Sequence, residues 1–222
     1  MLKDKTAEMI ESTKQAFISE FKRYITRPGA DSLLAWLETT DFFTAPASTR
    51  FHLNRRGGLA QHSMNVYNRM SEVCSMESMY HDLECTQESI AVCALLHDIC
   101  KANLYKPSAR NRKSYDPEKV ALAAPYNVKH DELGEFVWES VLGWTYEDPL
   151  PMGHGDKSLY LIMKHMTLTE DEAMAIRWHM GAWNDGEKQQ ASQAFEKCRL
   201  AVMLHVADTL ATQIDEAGTA II

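Results

Sequence analysis

The stretch Ile90-Ala91-Val92-Cys93-Ala94-Leu95-Leu96-His97-Asp98-Ile99-Cys100-Lys101 decides how the chain is read. Its apolar run, Ile90 to Leu96, has no polar face and is far shorter than the roughly 20 residues that cross a bilayer. It therefore reads as part of a helix, 86–99, in or beside the core of a globular domain. Working outward, helical periodicity dominates. Residues 4–26 carry Met9, Ile10, Phe17, Phe21 and Ile25 on one side and stop at Pro28-Gly29. Asp31 is expected to cap a short helix ending near Thr39, and a loop follows from Asp41 to Gly58. Further helices are expected at 59–74, 155–166, 169–180 and 191–214, with Thr169 and Glu172 forming a capping box. The stretch 101–153 breaks the pattern, holding five of the seven prolines together with tyrosines and β-branched residues. Within it, Tyr126–His130 and Glu135–Tyr146 flank the turn-like Asp131-Glu132-Leu133-Gly134, which predicts a β-hairpin. The fold class is thus mostly α, a helical bundle with one β-hairpin/loop insertion.

Composition narrows the function classes. The 222 residues carry 23 Lys plus Arg against 31 Asp plus Glu, a formal charge of −8, and 45% are hydrophobic. A chain of that length and apolar content builds a sizeable core, and its hydrophobicity argues against disorder. Net negative charge disfavours an extended nucleic-acid surface. The opening MLKDKTAEMIESTKQ lacks the apolar core of a signal peptide, so a cytoplasmic protein without membrane association is expected. Five cysteines form no CxxC pair and their odd number fits no disulfide framework, which points to a reducing compartment and away from zinc-finger chemistry. Cys93 and Cys198 read as small core residues. No repeat, low-complexity segment or linker interrupts the chain.

Nine histidines and thirteen aspartates would by chance give about half of one His-Asp doublet, yet three occur. His81-Asp82 lies between helices and His130-Asp131 opens the hairpin turn, so both are expected in solvent. His97-Asp98 ends the apolar run, with His97 on the same helical face as Ile90, Cys93 and Ala94. A carboxylate there needs a cation, a hydrogen-bond network or a metal. His62 interrupts the stripe Leu59, Val66, Met70, Val73. Asp208 lies inside an apolar helix where capping cannot account for it. His154 stands between glycines ahead of a helix, and His179 ends the helix containing Ala173, Ile176 and Met180. Each has an ordinary structural explanation; four such imidazoles and two such carboxylates together are harder to explain singly.

The order His62, His97-Asp98, Asp208 resembles the HD-domain metal-dependent phosphohydrolases. Gly57-Gly58-Leu59-Ala60-Gln61-His62-Ser63 is similar to that family's glycine-led helix bearing the first histidine, and Leu95-Leu96-His97-Asp98-Ile99-Cys100-Lys101 resembles its doublet motif. The resemblance implies an HD-domain-like helical bundle over 57–222, with 1–56 as an N-terminal helical extension packed on the core. His154 and His179 resemble the extra histidines of binuclear members. The resemblance thus implies that His62, His97, Asp98 and Asp208 hold one metal, and that Asp98, bridging, with His154 and His179 holds a second. One or two divalent transition metal ions (Mn, Fe, Co, Ni or Zn) suit imidazole and carboxylate ligands. Cys100 stands where the family has glycine and is expected to touch no ligand. Met180-Gly181-Ala182-Trp183 replaces the Gly-Tyr-Pro of cyclic-di-GMP-degrading members, which disfavours that substrate. The first 56 residues show no barrel-like strand pattern.

The chemistry implied is hydrolysis of a phosphoester by metal-activated water, with Asp98 central to catalysis and Lys101 placed to contact a phosphate oxygen. Lys101 equally suits an ordinary cation at a helix C-terminus. Residues 101–113 contain five cations and no acid, and we read them as a phosphate-recruiting loop using Lys106, Arg110 and Arg112, against the alternative of a solvated loop. Arg177 is a further candidate phosphate contact, and Tyr105, Tyr115, Tyr126 and Trp183 are candidates for stacking on a base. The expected partner is a small phosphorylated substrate such as a nucleotide. Open alternatives are a mononuclear nucleotidase-like enzyme using His154 and His179 as substrate contacts or acid/base groups, a 3′–5′ exonuclease on short RNA ends, and a catalytically silent module that binds metal or nucleotide. The helix at 4–26 is open to a homo-oligomer contact or to packing on the core.

Overall fold

In the computed structural model, which describes residues 5–81, 85–182 and 185–219, the central element is helix α4 (Gln87–Leu96). Thr86 starts it, its Oγ1 accepting the Ser89 amide at 3.0 Å. Every residue from Ile90 to Leu96 is buried, as a helix that is apolar all round requires. Helices α1 (Lys5–Tyr24), α3 (Gly58–Glu77) and α7 (Glu170–Trp178) pack around it. The set is completed by α2 (Ala30–Thr39), α5 (Pro117–Leu122), α6 (His154–Met163), α8 (Lys188–Lys197) and α9 (Arg199–Leu210). Phe17, Phe21 and Leu33 from the first two helices share one hydrophobic cluster with Leu59, Leu95 and Leu204. Among the described residues, no helix is long and apolar enough to cross a membrane.

Two charged residues tie the periphery to this centre. Arg27 donates from Nη1 and Nη2 to Glu172 Oε2 and Oε1 at 2.6 and 2.7 Å. Glu172 also accepts from Ser89 and completes the capping box with Thr169 at the start of α7. A fully buried carboxylate is tolerated here because every lone pair it presents is engaged by a donor, one of them cationic.

Three expectations need correction. Asp31 does not cap α2; Gly29 occupies that position in the left-handed conformation, and Asp31 sits in the first turn. The single helix expected over 191–214 is two, because Cys198 is extended (φ −121°, ψ 99°) between α8 and α9, and Ala211–Asp215 then widens into a π-helical turn. The stretch read as a loop after Lys101 is mostly strand β1 (Tyr105–Ser114), which pairs antiparallel with β3 (Gly134–Tyr146). Strand β2 (Lys129–Asp131) completes a three-stranded sheet in the order β1-β3-β2, so the hairpin is present with a shorter first arm than expected. Basic side chains concealed β1, since alternating burial along it is set by cross-strand partners and not by apolar residues.

The Gly57-Gly58 pair sets the entry to α3. Gly57 adopts φ +77°, and a Cβ on Gly58 would lie 2.0 Å from the Leu53 carbonyl oxygen. The loop therefore turns directly beneath the helix, and the Leu59 amide donates to Ala45 O at 3.0 Å. That close approach fixes where His62 points, one turn later. We expect Gly58→Ala to cost about 2 kcal/mol through backbone overlap, read as a lower urea midpoint with unchanged slope.

Candidate metal centre

His97 and His179 occupy equivalent places on two different helices. Each follows the last residue, of α4 and α7 respectively, with nearly the same backbone angles (φ −54°, ψ −33° and φ −55°, ψ −32°). Each ring donates from Nδ1 to the carbonyl three residues back, His97 to Ala94 O at 2.9 Å and His179 to Ile176 O at 2.7 Å. The imidazole thus satisfies a carbonyl that the helix end leaves without an amide. The proton needed for that bond leaves Nε2 as a bare acceptor on both rings.

His62, on α3, does the same through a carboxylate. Its Nδ1 lies 3.1 Å from Glu216 Oε1, a residue just beyond the π-helical turn, and Asn65 Nδ2 holds the same oxygen at 2.8 Å. Its Nε2 then faces the other rings: 3.3 Å from His97 Nε2, 3.3 Å from Asp208 Oδ1 and 3.5 Å from Asp98 Oδ2. Asp98 is 2% exposed at the turn from α4 into the short 3-10 segment Ile99–Lys101. Around it stand Lys101 Nζ at 2.6 Å, His154 Nε2 at 2.5 Å, His97 Nε2 at 3.5 Å and His179 Nε2 at 3.7 Å. The six residues singled out as ligands, His62, His97, Asp98, His154, His179 and Asp208, therefore converge from α3, α4, α6, α7 and α9.

The electrostatics follow from burial and proximity. Burial opposes the Asp98 charge, yet Lys101 and the adjacent histidines hold its carboxyl well below the usual carboxylate range. Asp208 is likewise held low, against burial, by its bond to His62. Burial pushes His97 down to about 3. His62 moves the other way: burial opposes its charge, but the Asp208 and Glu216 carboxylates outweigh that and bring it up to about 10. Burial also lowers His154 and pushes the Cys100 thiol up to about 12.

These residues fit a metal. Two bare imidazole nitrogens 3.3 Å apart, beside two carboxylates, repel unless a proton or a cation sits among them. His179 Nε2 is buried and has no hydrogen-bond partner, while aimed at Asp98. Donors that lie within 4.8 Å of one another form overlapping groups, His62–His97–Asp98, His97–His179–Asp208, and Asp98–Cys100–His154. The outer edges of the rings are held by backbone carbonyls or a carboxylate, the arrangement that orients histidine ligands toward an ion.

Three participants were not singled out from the sequence. Glu216 and His52 form a further close group with His62, His52 Nε2 being buried without a hydrogen-bond partner. Neither carries a sequence signal, since one is an acid after a helix and the other a histidine in a loop. Cys100, expected to touch no ligand, lies with its sulfur 3.4 Å from His154 Nδ1, because the 3-10 turn folds it back toward α6.

The candidate substrate contacts are distributed differently. Arg177 stacks over Trp178, pairs with Asp156, and reaches Glu187 at 3.2 Å. It lines a cavity of about 340 Å³ with His154, Gly153 and Gly181, so it stands at the mouth of the cluster with its charge already balanced. On β1, Arg112 pairs with Glu139 and Arg110 donates to Thr49 O at 3.3 Å, while Lys106 is exposed. Tyr105 is buried, Tyr115 donates to Asp131 at 2.7 Å, and Tyr126 is exposed. Trp183 and Asp82 lie outside the described residues. His81 and His130 are exposed, whereas Asp131 is engaged by Lys113 at 2.5 Å.

Comparison of the chain with family models, curated proteins and solved structures returns no match.

The group around His52 predicts a pH response. Burial, then the charges of His62 and Lys101, lower His52 from 6.5 to about 4. Between those values the unfolded chain binds more protons than the folded one, so stability falls as pH drops through the window. For metal-free protein we expect the urea midpoint to fall from pH 6.5 toward 4, with His97 adding to the slope. His52→Gln should remove up to roughly 1 kcal/mol per pH unit of it.

Proposed function

We propose that the protein is a metal-dependent phosphohydrolase of the HD-domain type, cleaving a phosphoester of a small phosphorylated molecule such as a nucleotide. The observation that carries this reading is the convergence of six imidazole and carboxylate side chains on a buried pocket, with the outer ring nitrogens of His62, His97 and His179 already engaged. In the reading, His62, His97, Asp98 and Asp208 hold one divalent cation, and Asp98, His154 and His179 hold a second, Asp98 being shared. Bound cations of this kind supply Lewis acidity and a water of lowered pKa. The chain's own residues do the rest. Lys101, 2.6 Å from Asp98, offsets the shared carboxylate and presents its ammonium to a phosphate oxygen entering beside it. The cavity of about 340 Å³ against His154 lies within the usual range for small-molecule pockets, which favours a nucleotide-sized substrate over a polymer. Arg177 at its wall is a binding contact only if substrate phosphate displaces Asp156 or Glu187.

A mononuclear variant is favoured by one observation. His154 is the most open of the six, its side chain 27% exposed, and it borders the cavity. In that variant His154 works on the substrate as a contact or proton donor and only the first cation is held.

Metal analysis of purified protein combined with a phosphoester panel, run with manganese or cobalt, tests both. Two ions per chain and activity reduced at least about a hundredfold by Asp98→Ala are expected. One ion per chain with activity retained selects the mononuclear variant. Activity indifferent to Asp98→Ala refutes the site altogether.

A further inference from the structure

Cys100 is the donor in the cluster that imidazole and carboxylate chemistry leaves unused. Its sulfur is 3.4 Å from Nδ1 and 3.7 Å from Nε2 of His154. A single S–H···N bond would align with one nitrogen; near-equal distances to both place the sulfur beside the ring, on the side from which Nε2 reaches Asp98. The backbone holds it there, since the Cys100 amide donates to Ser158 Oγ on α6 at 3.3 Å. Sulfur, His154 nitrogen and Asp98 oxygen all lie within 4.8 Å of one another. Two ligands bound 2.0–2.3 Å from one tetrahedral ion sit about 3.5 Å apart. The His154 Nε2 to Cys100 Sγ separation of 3.7 Å is close to that edge, as is the 3.7 Å between Asp98 Oδ1 and His179 Nε2. His179 supplies an independent sign of a ligand, because its Nε2 is fully buried, unpartnered and aimed at the same carboxylate.

We propose that Cys100 is a thiolate ligand of the second cation, alongside Asp98, His154 and His179, and that it makes this half of the centre selective for a thiophilic divalent ion such as zinc, cobalt or ferrous iron over manganese. The inference rests on the metal centre proposed above and deepens it. Thiolate is the ligating form, so binding releases the thiol proton to solvent. Soft sulfur favours zinc, cobalt and iron, whereas an all-oxygen and nitrogen site also accepts manganese well.

Titration of metal-free protein with Co(II) tests this spectroscopically. Wild type should show, beside the visible cobalt bands, a sulfur-to-cobalt charge-transfer absorption in the near ultraviolet. Cys100→Ser and Cys100→Ala should each lose that absorption while still binding cobalt, and their preference for zinc over manganese should fall at least about tenfold. The alanine variant serves if a serine hydroxyl is poorly accommodated. Cobalt bound without charge transfer overturns the proposal and leaves Cys100 as a hydrogen-bond partner of His154. Charge transfer that survives both substitutions comes from one of the four other cysteines and overturns it equally. Failure of wild type to bind cobalt at all defeats the metal centre itself, and the inference with it.

Discussion

A carboxylate with almost no access to water lies at the end of the most apolar helix in the chain, and much of the surrounding architecture offsets that one charge. Asp98 is 2% exposed, and leaving it unpaired would cost several kcal/mol. Lys101 follows one turn later, where the partial negative end of α4 also welcomes a cation. His154 comes from the first residue of α6, and His97 and His179 from the ends of α4 and α7. Helices that would otherwise only need to bury their apolar faces are thereby required to end at one point. The positions of their termini are more tightly determined than packing alone demands.

The bare nitrogens around that carboxylate create the second constraint. In the absence of an ion, the favoured arrangement is a proton on His62, shared between Asp208 and Glu216, with His97 neutral. A divalent cation and that proton compete for the same electron pair, so occupancy of the cluster is coupled to pH. The outer contacts are what make the competition possible. Ala94 O and Ile176 O fix the tautomers of two rings, while Glu216 and Asn65 fix the third.

Much of this was legible in the sequence. The apolar run ending in His97-Asp98 announced a buried helix with a charge at its end, and His62 and Asp208 stood out because each breaks an apolar stripe. Those signals survive because helical periodicity is local. The strand β1 did not show, since Lys106, Arg110, Arg112 and Lys113 suggested a solvated loop, and its pairing with β3 is set by residues some thirty positions away. Glu216, His52 and Cys100 were invisible for a related reason. Their roles come from tertiary contacts, His62 meeting Glu216 across a separation of 154 residues, and no local pattern encodes a meeting of that kind.

That separation bears on how the chain reaches its fold. Bringing Glu216 to His62 closes a loop of 154 residues, and the entropy of closing a loop rises only as the logarithm of its length. Contacts so remote are slow to find, and nothing local guides α9 and the π-helical turn toward α3. The helices between them can assemble first around α4, leaving the cluster to be completed by the last segments to dock. Any ion held by both Asp208 and His62 would then act as a clasp across the whole intervening chain. Its contribution would appear mainly as slower unfolding, because the contacts it strengthens belong to the final stage of folding.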